Sequence, residues 1–163
     1  MSDIRIEALK GKYDNDNVYE KLLDYISKKT YIGGYGFSCI PDYPISEQFR
    51  MSETCSSGSS SRKMWHFIIT FPTSWDHFSL LQLAISTANR FATSYQILFG
   101  VDTEQGNAHL HFGVHAFSYY PDYPILSEEA MHNYLTQLQN DLRCRYPHMT
   151  VTLQFLRKGT KDV

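Results

Sequence analysis

GNAHLHFGVHAFS, residues 106–118, sets His109, His111 and His115 at odd-numbered positions of a run otherwise dominated by Ala, Leu, Phe, Gly and Val. With the two-residue period of a strand, His109, His111, Gly113, His115 and Phe117 fall on one side, and Ala108, Leu110, Phe112, Val114 and Ala116 on the other. The second set is an apolar face suited to lie against helices, and the first points imidazoles toward a common open surface. Imidazoles at i and i+2 stand roughly 7 Å apart, two rises of about 3.3 Å, and can converge on one ion. A solvent-facing polar side is the plain alternative. Thr or Lys would be the ordinary filler there, however, whereas imidazole is the commonest metal ligand. A catalytic divalent ion needs a third protein ligand and open positions for water or substrate. Asp102 and Glu104, at the end of the preceding strand, are the nearest candidates along the chain, folded back beside His109 by a short turn through EQGN.

The flanking segments build a sheet around this strand. YQILFGV (95–101) reads as a second buried strand, and MWHFIITF (64–71), rich in β-formers and ending at Pro72, as a central one. VYEKLLDYISKK (18–29) brings Val18, Leu22, Tyr25, Leu23 and Ile26 round at helical spacing, with lysines closing the last turn. YIGGYGFSC (31–39) leads through a short strand into PISEQFRMSE, where Ser46 is expected to cap a second helix. Between Trp75 and Phe91, the recurrence of Phe78, Leu81, Ile85, Ala88 and Phe91 predicts a helix laid on the sheet. SEEAMHNYLTQLQNDLRCRY (127–146) predicts a long helix with Met131, Leu135, Leu138 and Leu142 on one face, and TVTLQFL (150–156) a last strand. PDYPI occurs at 41–45 and again at 121–125, each time ahead of a Ser-capped helix, which points to shared turn chemistry. The fold class expected is α+β: a mostly antiparallel central sheet with helices packed on one face. Residues 1–163 form a single domain, with a flexible Ser-rich loop at about 53–63.

Composition limits the function. Apolar residues make up 42% and aromatics 15%, with 12 Tyr and 10 Phe, which is a globular and not a disordered composition. No run approaches the length of about eighteen apolar residues needed for a membrane span, and MSDIRIEALKGK lacks a signal-peptide core, so a cytoplasmic protein without a membrane partner is expected. Cys39, Cys55 and Cys144 are odd in number and not in CxxC spacing, which suggests neither a zinc ribbon nor a disulfide framework. A net charge of −2 gives no bulk electrostatic case for nucleic-acid binding. Any such role must come from a local site, for which Arg62 and Lys63 are candidate phosphate contacts.

The His-hydrophobic-His pair, with a ligand position seven residues before it and a polar residue four after it, resembles the HUH endonucleases. Within them it looks like the relaxase or mobilisation nuclease family of plasmids and conjugative elements. YISKKT (25–30) is similar to that family's helix end with its Lys-Thr pair, GFSCIPDYPISEQF (36–49) to its Gly-x-x-Cys-x-Pro-Asp segment, and HFIITF (66–71) to its His-Phe strand. YQILFGVDTEQGNAHLHFGVHAFS (95–118) aligns without a gap to its Tyr-Gln strand, ligand turn and HUH strand, so that the likeness covers about residues 18–145.

The resemblance implies metal-dependent, site- and strand-specific nicking of single-stranded DNA at a transfer origin through a covalent 5′-phosphotyrosine, for mobilisation of a plasmid or other element. It implies Tyr25 as nucleophile, with Tyr19 as the fallback, and His109, His111 and Asp102 as ligands of a divalent ion, magnesium or manganese. Glu104, His115, His66 and Lys29 become supporting or phosphate-contacting groups, and accessory mobilisation proteins become possible partners. The chain departs from the family where Asp102 stands for the usual histidine, Glu104 for the usual aspartate and His115 for the usual asparagine. Those departures leave a second expectation: a catalytically degenerate relative that binds DNA or a partner through the same surface.

Overall fold

The computed structural model describes residues 3–11, 13–72 and 75–158, the side chains of 104 and 105 excepted. Along the chain run β1 (Asp3–Lys10), α1 (Val18–Ser27), β2 (Tyr31–Tyr35), α2 (Ile45–Cys55), β3 (Met64–Phe71), α3 (His77–Ala92), β4 (Tyr95–Gln105), β5 (Asn107–Ser118), α4 (Glu128–Arg145) and β6 (Thr150–Lys158). The strands make one six-stranded sheet in the order β2-β4-β5-β3-β1-β6. Neighbours pair antiparallel except β1 and β6, which run parallel at one edge. The chain is α+β with a mostly antiparallel sheet, as its sequence predicts.

The apolar parity of β5 buries as expected. Ala108, Leu110, Phe112, Val114 and Ala116 join Phe67 and Ile69 of β3 and Ile97, Phe99 and Val101 of β4 in the larger core. α3 and α4 cover that face; α4 does so with the stripe of Met131, Leu135, Leu138 and Leu142. The stripe of α3 is rotated from the predicted one. Leu80, Leu83, Ala84, Thr87, Ala88 and Phe91 are buried, while Phe78 and Ile85 are exposed. Its floor accepts small side chains and a threonine, which a search for large apolar residues passes over.

The expectation of helices on one face is corrected for α1 and α2, which lie on the opposite side of the sheet. Val18, Tyr19, Leu22, Leu23 and Ile26 of α1 and Phe49 of α2 form a second core with Met64 and Leu98, whose parity is opposite to that of the first. An apolar stripe of this width needs its own floor. The sheet supplies one by leaving out side chains: a Cβ at Gly113 would stand 2.9 Å from Ile26 Cδ1, and one at Gly100 only 2.7 Å from the Ile26 carbonyl oxygen. The two glycines thus form a trough in which α1 lies, and the histidine face is roofed where an open surface is predicted.

Two local expectations also change. α2 begins at Ile45 behind Pro44, whose carbonyl accepts from Glu47 and Gln48; Ser46 lies inside the first turn and makes no cap. α2 also runs on to Cys55, so only the later part of the Ser-rich segment is loop. The PDYPI turns do match, with Tyr43 N–H donating to Ile40 and Tyr123 N–H to Tyr120 across the same spacing. The cysteines are free and exposed. Among the described residues, no helix is long and apolar enough to cross a membrane.

Candidate active site

Strand register fixes the layout of the histidine face. Asp102, His109 and Thr70 stand abreast on β4, β5 and β3; Gly100, His111 and Ile68 form the next row, and Leu98, Gly113 and His66 the one after. The His109 and His111 rings lie 6.2 Å apart between centroids, close to the separation that strand geometry predicts for i and i+2. His66 Nε2 lies 3.4 Å from His111 Nδ1, and His66 Nδ1 lies 3.0 Å from the hydroxyl of Tyr13.

The C-terminal half of α1 brings Tyr25 over this pair. Its ring meets His111 edge-on at 5.5 Å and His66 at 6.0 Å, and Tyr25 remains 37% exposed. The phenol-bearing side chain thus borders both solvent and the buried imidazoles. Just past the helix, the Lys29 ammonium lies 4.2 Å from the centroid of the Tyr25 ring and 3.4 Å from Asp102 Oδ2. Lys29 N–H donates to the Ile26 carbonyl and Thr30 N–H to that of Val101, which ties this turn to β4.

Burial favours the neutral form of the imidazoles at this site. Burial, then the neighbouring His111 and Lys29, push His66 down to about 3. Burial, then Lys29, does the same to His111, and burial lowers His109 as well. A neutral imidazole binds a metal through one nitrogen and donates its other N–H to a fixed acceptor. For His111 to ligate through Nε2, its Nδ1–H must donate to His66 Nε2, and the His66 Nδ1–H must then donate to the Tyr13 oxygen. The chain His111–His66–Tyr13 has the spacing for that proton order. The donor set His109, His111 and Asp102 therefore fits a divalent cation in kind. Among the described residues, however, no three of His, Cys, Asp or Glu already stand around one point, and Asp102 is turned to Lys29.

Of the residues singled out in the sequence, Tyr25, Lys29, His66, Asp102, His109 and His111 come together. The side chain of Glu104 lies outside the described residues. His115 belongs elsewhere. It is fully buried two rows beyond His111, with Nδ1 3.0 Å from Gln96 Oε1 and Nε2 2.9 Å from the Tyr19 hydroxyl. Burial pushes it to about 3. Tyr19 donates to Glu53 at 2.5 Å, and burial with that carboxylate drives its phenol far above the ordinary range, so it is a packing residue and poorly suited as a fallback nucleophile. Lys63 is spent on Glu53 at 2.6 Å and Asp16 at 3.2 Å. Arg62 lies 4.2 Å over the Trp65 ring and donates to the Met64 carbonyl. Both predicted DNA contacts are thus engaged within the fold. Tyr13 is the member of the cluster that sequence reasoning missed; nothing in its surroundings along the chain marks it.

No family model matches the chain, and no curated protein is significantly similar to it.

Proposed function

We propose that this chain is a relaxase-like DNA strand transferase, in which the Tyr25 phenol attacks a phosphodiester of single-stranded DNA at a transfer origin. The phenol gives up its proton as the bond from Tyr25 Oη to phosphorus forms and the bond to O3′ breaks, and the departing O3′ takes up a proton, leaving a 5′-phosphotyrosine and a free 3′-hydroxyl. The observation that carries this reading is the seating of an exposed tyrosine edge-on against two buried neutral histidines, with a lysine ammonium against its ring. Lys29 supplies positive charge beside the phenol and the anionic substrate, and His66 orients His111. A divalent ion, magnesium or manganese, would be held by His109, His111 and Asp102, and when bound supplies Lewis-acid polarisation of a non-bridging phosphate oxygen.

The test is incubation with a randomised single-stranded oligonucleotide pool and Mn²⁺, resolved on a denaturing gel. The wild type gives a covalent protein–DNA band, and Tyr25→Phe gives none. A band that survives in Tyr25→Phe removes Tyr25 from the chemistry. A second reading has one observation in its favour. The ion pair between Lys29 and Asp102 occupies the third ligand position, as a degenerate relative that only binds DNA or a partner would have it. That protein shifts the same oligonucleotides on a native gel and forms no adduct.

A further inference from the structure

We propose that the Lys29 ammonium is an internal competitor for the cation position of this site, so that a divalent metal loads only by displacing it from Asp102, a statement that rests on the metal-dependent reading above. Asp102 stands directly across the strand pair from His109 and is the acidic member of the ligand set. Its carboxylate already holds a cation at 3.4 Å, with only 14% of the Lys29 side chain and 20% of the Asp102 side chain exposed. In such partly desolvated surroundings a divalent ion on the same carboxylate would stand close to the ammonium with little water to screen their repulsion.

Lys29 is built into this position. A Cβ on Gly100 would come within 2.7 Å of Lys29 Cγ and 2.8 Å of Lys29 Cβ, so the stem of the lysine fills space that the glycine leaves in β4. Backbone bonds on both sides of it hold the turn, and the Tyr25 ring closes over the ammonium. Its neighbour Lys28 is the contrast: 73% exposed and paired with Asp24 on the helix surface at 2.8 Å. The ammonium lies against the Tyr25 ring, which in turn covers His111 and His66, so its charge stands beside the imidazole cluster. A metal bound there feels the same positive field. On loading, the ammonium leaves Asp102 and is free to take the phosphodiester oxygen beside Tyr25, so that metal and single-stranded DNA favour one another's binding.

The experiment is calorimetric titration of the metal-free full chain with Mn²⁺ alone, for wild type, Lys29→Met, Lys29→Gln, Lys29→Arg and Lys28→Met, each checked for the wild-type circular dichroism spectrum. Both neutral Lys29 variants bind Mn²⁺ about tenfold or more tightly than wild type, within the usual range of coupling between sites. Lys29→Arg and Lys28→Met stay near wild type. Equal or weaker binding by a folded neutral variant overturns the proposal, as does a lack of binding in wild type and neutral variants alike. An adduct that forms on the wild type while the Mn²⁺ affinities are equal overturns the competition and leaves the nuclease reading standing. Absence of both adduct and Mn²⁺ binding overturns the two together.

Discussion

Lys29, in the turn after α1, is matched to Gly100 of β4: the lysine stem fills the space where a glycine Cβ is missing, and the helix backbone passes within 2.7 Å of that same space. Gly100→Ala therefore meets both a flexible side chain and the Ile26 carbonyl, and the carbonyl has little room to give. The expected cost is about 1–3 kcal/mol, the usual range for overpacking, measured as a lowered urea midpoint with unchanged slope. An unchanged midpoint would mean that α1 does not lie in the trough. At this scale the sequence was partly legible. His109, His111 and Asp102 share a face because strand parity and a short turn dictate it, and both can be read from the sequence. Tyr13 joins His66 over a separation of 53 residues, and only closure of the fold brings them together. The pairing of Asp102 with Lys29 is equally non-local, so an apparent metal ligand gives no sign along the chain that it is already engaged.

Long, regular patterns in the sequence translate directly into elements. β3 spans the predicted MWHFIITF, and α4 buries the four predicted apolar residues. β1 has only a weak signal in the sequence, although Ile4, Ile6 and Ala8 alternate in it as a strand requires; Glu, Ala, Leu and Lys in the same stretch are helix formers that blur it. Which side of the sheet each helix takes was also hidden, because an amphipathic stripe specifies that a floor exists and not which floor. Capping gives a direct test at this scale. Ser127 Oγ accepts from Ala130 N–H at 3.1 Å at the start of α4, while Ser46 makes no such bond at the start of α2. Ser127→Ala is expected to cost about 1 kcal/mol and Ser46→Ala close to nothing, as read from their denaturation midpoints. Equal losses would show that α2 starts later than Ile45.

Across the whole molecule, the sheet separates two cores. The core under α3 and α4 is wholly apolar in its β5 contribution; the one under α1 and α2 shares its floor with buried imidazoles. That arrangement gives stability a pH dependence. His66 and His115 are held near 3 in the fold, against an ordinary imidazole value of 6.5, principally by burial. Between about pH 6.5 and 3 the unfolded chain takes up protons that the folded one refuses. Their contribution is therefore complete above pH 6.5 and falls as the pH drops, by up to about 1.4 kcal/mol per pH unit for each ring. Urea unfolding at pH 7 and pH 5 should show the lower stability at pH 5, with a shallower fall in His66→Gln; a stability that rises on acidification would contradict the burial of these rings.

The most direct measurement of the central claim is the position of the covalent bond itself. Wild-type protein, treated with the randomised single-stranded pool and Mn²⁺, is digested with nuclease and protease, and the nucleotide-bearing peptide is sequenced by mass spectrometry. The modification is predicted on Tyr25, through a phosphate attached to its phenolic oxygen. A nucleotide carried instead by Tyr19 or another residue, or no modified peptide under any metal condition, would contradict it.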